Sequence, residues 1–337
     1  MTVITPLISR LAAATLAATL AVGITACGTV SASTEESTSA TTVAQDRSTP
    51  SVTTASAQSP TLAELVAEVA GEFSQIEWTD PDTGQTLTYN IYLPEGYDKS
   101  KSYPLVVYIP DSSQVGSDAT AGLSQYGALI WASDSEQAKN ESIVAVPAYP
   151  EVILDDHGSY TMTEYVEMTA RLVEDLTQTY AVDTDRVYGT GQSMGAMTIM
   201  YLAATYPDLF AAEMIVSGQW DVTTLSGLAG EKFVYTAAAG DAKASGGQSD
   251  VEAMLDAAGI SYNTAVFDAT WSEDEEAAAA AELLSTRDGA HFLTFAEGTV
   301  LEASDGSGAM NSEHMASFQP AYEITALRDW LMAQTEN

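Results

Sequence analysis

Gly191-Gln192-Ser193-Met194-Gly195 places a serine between two glycines, directly after the apolar run Arg186-Val187-Tyr188 and before a helix-like stretch, 196–207. A serine on a sharp strand-to-helix turn is presented outward, and the helix N-terminus brings unpaired N–H groups beside it. Glycine is favoured on either side because larger side chains would collide with the neighbouring strand and helix. The chemistry this suits is attack on a carbonyl carbon, and a serine hydroxyl needs a base for it. The chain has three histidines. His157 precedes the serine in an acidic loop, and His291 opens an apolar strand and reads as a packed ring. His314 follows the last strand, where the order serine, acid, histidine places the base. The acid belongs at a strand end between Ser193 and His314. Asp241 follows the run KFVYTAAAG there and is the first choice; Asp221, after VSGQW, is the second. One oxyanion donor is the N–H of Met194, the residue after the nucleophile. A second is expected from Ser112 or Ser113, after PLVVYI, although the neighbouring Asp111 carboxylate would disfavour an oxyanion if aimed at it. Gln192, Trp220 and Trp271 are candidate pocket residues, although a buried tryptophan is at least as often core. No metal-ligand spacing is present, and the chemistry requires no cofactor.

These side chains need a scaffold. YPLVVYIP and SIVAVPAY are continuous apolar runs of the kind buried on both faces of a sheet, and LTYNIYLPEGY alternates like a half-exposed strand. DRVYGTG, AAEMIVSG, KFVYTAAAG and HFLTFAEGTVL continue the strand series. Helical patterns alternate with them: TEYVEMTARLVEDLTQTY, with Thr161 and Glu164 at capping-box spacing, then DVEAMLDAAG, DEEAAAAAELLST and AYEITALRDWLMAQ. The run Glu273 to Glu276 reads as a solvated helix start, and AKASGGQ after Asp241 as a loop. Alternation of this kind predicts an α/β fold, a mostly parallel sheet with helices on both faces. Ligands in such sheets sit beyond the carboxyl ends of the strands.

The first 26 residues end in an apolar segment, LAAATLAATLAVGITA, closed by Cys27, and Ile24-Thr25-Ala26-Cys27 resembles a bacterial lipobox. The expectation is a lipoprotein signal over 1–26, a Ser/Thr-rich tether over 27–60 that buries too little to order itself, and one catalytic domain over 61–337. Cys27 would carry the lipid, so that the protein is exported and meets the membrane by its anchor alone, or is secreted. A net charge of −36 argues against nucleic acid or an anionic lipid surface as a partner. The sequence leaves the oligomeric state open.

From about residue 80 onward the chain resembles secreted α/β-hydrolases of the group holding feruloyl-esterase-like and polyhydroxybutyrate-depolymerase-like esterases and the catalytic domain of prolyl oligopeptidase. YNIYLPEGYDKSKSYPLVVYIPD, VYGTGQSMGAM, YPDLFAA, VSGQWD, AAAGDAKASGGQ and EHMASFQPAYEITALRDWL carry the resemblance. It implies an α/β-hydrolase fold and hydrolysis of a carboxylic ester through an acyl-enzyme, with neither metal nor organic cofactor. A peptidase or amidase using the same triad, and a silent hydrolase-fold binder at the surface, are the alternatives.

Overall fold

The computed structural model describes residues 59–286, 289–304 and 312–336. Cys27, the signal segment and the tether up to residue 58 lie outside them. A nine-stranded sheet runs in the order β1-β2-β4-β3-β7-β8-β9-β11-β10. Its strands are β1 (Ser74–Thr79), β2 (Thr86–Tyr92), β3 (Tyr103–Ile109), β4 (Ile143–Ala148), β7 (Val182–Gln192), β8 (Ala212–Val216), β9 (Phe233–Ala238), β10 (Tyr262–Phe267) and β11 (Ala290–Phe295). Two short strands, β5 (Leu154–Asp155) and β6 (Thr161–Met162), pair as a separate hairpin. The pairs β1/β2 and β2/β4 are antiparallel and the other sheet pairs are parallel. The fold is therefore the expected α/β sandwich of the α/β-hydrolase type.

Period-2 alternation in β3 feeds two cores. Leu105, Val107 and Ile109 join one together with Leu172, Ile199 and Leu202 from the helices Glu164–Thr179 and Met194–Thr205. Val106 and Tyr108 join the other with Leu65 and Leu327, from Leu62–Val69 and Thr325–Met332 on the opposite face. Both faces of β3 are covered, and each of its residues is buried.

Four local expectations are corrected. Thr161 lies in β6 rather than in a capping box; Thr163 is the cap residue, and Glu164 pairs with Arg171 at 2.8 Å. AKASGGQ is the opening of the helix Ala242–Ala258, because the Asp241 side chain caps the N–H groups of Lys243 and Ala244. The run from His291 ends as a strand at Phe295, and a short helix, Thr299–Ala303, begins after the left-handed Gly298. The terminal helical stretch breaks at Ile324 into Phe318–Glu323 and Thr325–Met332. The edge strands β1 and β10 carry mostly exposed or half-exposed residues, so little apolar periodicity marks them.

Candidate active site

Ser193 has φ 51° and ψ −117°, a left-sided conformation that costs a residue with a Cβ and persists only where its surroundings impose it. Its N–H donates to the Val216 carbonyl at 2.9 Å, which ties the turn to the carboxyl end of β8. The flanking glycines have a steric reason. A Cβ on Gly195 would sit 1.9 Å from the Ile109 carbonyl oxygen, and one on Gly191 would be 2.7 Å from the same oxygen. A larger residue at either place would push the helix off β3.

Asp241 leaves the carboxyl end of β9, and His314 lies in a short helix, Glu313–Ala316. The fold brings both to the serine. His314 Nε2 is 2.9 Å from Ser193 Oγ, and His314 Nδ1 is 2.6 Å from Asp241 Oδ2. The other Asp241 oxygen accepts from the N–H groups of Lys243 and Ala244 at 3.2 and 3.3 Å. Burial pushes the Asp241 carboxyl up, but the hydrogen bond and charge of His314 and those two N–H groups outweigh it and leave its pKa below the ordinary value. The Phe318 ring stands edge-on to the imidazole at 5.0 Å, limiting ring rotation on that side.

The other candidates separate cleanly. Asp221 accepts from Thr223 N–H at 3.0 Å and from the Thr223 hydroxyl at 2.7 Å, capping its own short turn. His291 is buried on β11, its ring perpendicular to that of Trp330 at 5.3 Å. Ser112 lines the cavity above Ser193, whereas the Ser113 N–H donates to Asp111 Oδ1 at 2.8 Å, which leaves Ser112 as the candidate second donor. The Asp111 carboxylate is turned away from the reacting centre and accepts from the side-chain amides of Gln125 and Gln192. Gln192 is thus a buried support for that loop and not a cavity wall. Trp220 is buried, packs against Tyr160 at 5.0 Å between ring centroids, and is not one of the described residues that line the cavity. Trp271 packs on Phe267 at 5.5 Å.

The cavity holds about 570 Å³. Val152, Leu154, Met194 and Met197 form its apolar wall, and Asp155, Asp156, His157, Gln219 and Lys243 its polar rim. Most of these residues carry no signal in the sequence. The β5–β6 strands are too short to show a period, and Gln219 and Lys243 carry no motif beyond adjacency to Trp220 and Asp241. Asp156 is engaged by Lys243 at 2.6 Å and by the Gln219 amide, which ties the hairpin to both neighbouring strand ends. His157 Nδ1 lies 2.7 Å from Asp155 Oδ1. Among the described residues, Asp155, Asp156 and His157 form one group with the ligand types and spacing for a cation.

The family described as "Putative esterase" matches residues 81–291, more than half of the chain. This chain belongs to that esterase family. Among curated proteins it is similar to dipeptidyl-peptidase 5 of Porphyromonas gingivalis, 30% identical over 146 residues, covering 41% of this chain and 20% of that protein. It is also similar to the probable acetylxylan esterase A of Aspergillus niger, 28% identical over 168 residues, 47% of this chain and 50% of that protein. The chain thus spans between a fifth and half of the length of these relatives. A solved thermostable esterase superposes with a TM-score of 0.64 at 19% identity, over 79% of this chain and 64% of that one. The feruloyl esterase module of Clostridium thermocellum, complexed with sinapinate, gives 0.51 at 14% identity, over 80% of this chain and 92% of that one. At these identities the solved structures speak for the fold.

Proposed function

We propose that this esterase-family protein is an exported serine hydrolase that cleaves carboxylic esters through an acyl-enzyme. The observation that carries the reading is the hydrogen-bonded chain Asp241, His314, Ser193, at 2.6 and 2.9 Å, at the mouth of a cavity. Asp241 accepts a hydrogen bond from Nδ1–H, which holds the ring and stabilises the imidazolium, so that Nε2 takes the proton of Ser193 Oγ as Oγ bonds to the ester carbon. The negative charge on the former carbonyl oxygen is met by the N–H of Met194, whose place as the first helical residue leaves it without an intrahelical acceptor, and by that of Ser112. Collapse expels the alcohol, protonated by His314. Water then repeats the sequence and frees the acid. The acyl group lies against Val152, Leu154, Met194 and Met197, and the alcohol faces the polar rim. No step calls for a metal or an organic cofactor.

A screen with acetyl, butyryl, feruloyl and polyester substrates tests the reading, with an organophosphonate that should label wild type on Ser193 and leave Ser193→Ala unmarked. Turnover of none of these esters, with no label, would overturn it. The similarity to dipeptidyl-peptidase 5 supports a peptidase as the second reading, and a peptide substrate in the same screen separates the two, because the triad serves both bonds. The third reading, a silent surface binder, predicts neither turnover nor label. The lipobox residues Ile24 to Cys27 support export and anchoring. Cys27→Ser should release the protein from membranes or block its maturation, and wild type found wholly soluble and cut elsewhere than before Cys27 would refute the anchor.

A further inference from the structure

The helix bearing His314 has four residues, Glu313–Ala316. So short a helix has no rigidity of its own, and the direction of the imidazole must come from contacts beyond it. Asp241 supplies one, at Nδ1. A single hydrogen bond leaves the two residues free to pivot about it.

The Glu313 carboxylate supplies the missing constraint. One oxygen accepts the Gly240 N–H at 2.9 Å and the other accepts the Gly298 N–H at 2.9 Å. Gly240 follows the end of β9 and Gly298 lies just beyond the end of β11, so the carboxylate bridges two adjacent strand ends. The covalent neighbours matter most. Gly240 is bonded to Asp241 and Glu313 to His314, so Glu313···Gly240 and His314···Asp241 close a ring of four residues joined by two peptide bonds and two hydrogen bonds. Two attachments fix a relative orientation that one cannot. A Cβ on Gly240 would sit 2.0 Å from Glu313 Oε1, so glycine at 240 is what lets the carboxylate in. On the far side, the Ser317 hydroxyl donates to the His314 carbonyl at 2.8 Å and lies 2.7 Å from the Ser217 hydroxyl. Ser217 follows Val216, the residue that accepts the Ser193 N–H.

We propose that Glu313 is a positioning residue for the hydrolysis, holding the base on the acid by clamping the His314 turn to the strand end that carries Asp241. The inference rests on the serine-esterase reading above. It assigns Glu313 no contact with substrate, and its effect passes through His314.

The test uses the mature protein with whichever ester it turns over fastest. Glu313→Ala should lower kcat by about 10²-fold, the scale of a misplacement of about 1 Å at a reacting group, with KM within about twofold of wild type. Glu313→Gln, which keeps one acceptor oxygen, should fall between. Gly240→Ala displaces the carboxylate without removing it and should reproduce the Glu313→Ala loss, which guards against a variant that merely folds badly. The decisive measurement is the pair. If Glu313 acts through the acid and base, Asp241→Asn/Glu313→Ala is hardly slower than Asp241→Asn alone, and the phosphonate labels Glu313→Ala more slowly in proportion to kcat. Multiplying losses, or a Glu313→Ala variant with wild-type kcat, would overturn the inference while leaving the esterase reading intact. An inactive, unlabelled wild type would instead sink that reading, and the inference with it.

Discussion

Two buried carboxyl groups sit at opposite ends of the same sheet. Asp241, at the carboxyl end of β9, accepts from His314 and two backbone N–H groups, and its pKa lies below the ordinary value despite burial. Glu213, second residue of β8, is completely buried, and neither of its oxygens has a hydrogen-bond partner among the described residues. Burial pushes its pKa well up, and the nearby Glu231 and Glu336 add to the shift. Desolvation acts in the same direction on both groups. Partners decide the outcome, and in this molecule they are gathered at the end of the sheet where the cavity lies. Glu231, beside Glu213, is raised to about 7, chiefly by burial.

The comparison implies that changes at the carboxyl ends cost rate and changes at the amino ends alter stability. Its largest test is Ser193→Ala and His314→Ala, each expected to remove turnover by about 10⁶-fold, as in an analogous triad, with the double variant hardly worse and the melting temperature held. Unfolding of either would break the comparison. Asp241→Asn should lower kcat by about 10⁴-fold through loss of the imidazole tautomer. Asp221→Asn, which keeps an acceptor oxygen for the Thr223 N–H and touches no part of the triad, should leave kcat at the wild-type value. The reverse ranking would show that the acid stands at the other strand end.

At the opposite pole, Glu213→Met should stabilise the protein at neutral pH by about 1–3 kcal/mol, the cost of a buried polar group left without a partner, and leave kcat unchanged. The sign with pH is fixed. A carboxyl whose folded pKa exceeds its unfolded one carries no titration penalty below the ordinary carboxylate range, and the penalty grows as pH rises towards the folded value. The gain from Glu213→Met, read by chemical denaturation, should therefore shrink on acidification. Asp241 behaves oppositely: the stability its depressed pKa contributes is present above the unfolded value and is lost as pH falls through the folded one. A Glu213→Met gain that grew in acid would show that Glu213 has a partner after all.

The motif, the strand-helix alternation and the chain order of serine, acid and histidine were legible because each is a local or sequential property. Glycine beside Ser193, an aspartate closing an apolar run and a histidine after the last strand follow from turn sterics and from the single direction of parallel strands. That both faces of the sheet are covered was legible too, since the unbroken apolar run of β3 is of the kind buried on both sides. The cavity wall was not. Val152 to His157 reach the site through a hairpin of two-residue strands with no period to read, and Gln192 and Trp220, beside the motif and a strand end, are buried and not among the described residues that line it. Which of two strand-end aspartates meets His314, that Asp111 faces Gln125 and Gln192, and that Glu313 bridges Gly240 to Gly298 depend on contacts between residues far apart in the chain. A sequence specifies which groups are available. Only the packing of β8, β9 and β11 side by side decides which of them lie within hydrogen-bond reach, because that interaction fades within a fraction of an ångström while the chain between partners is tens of residues long.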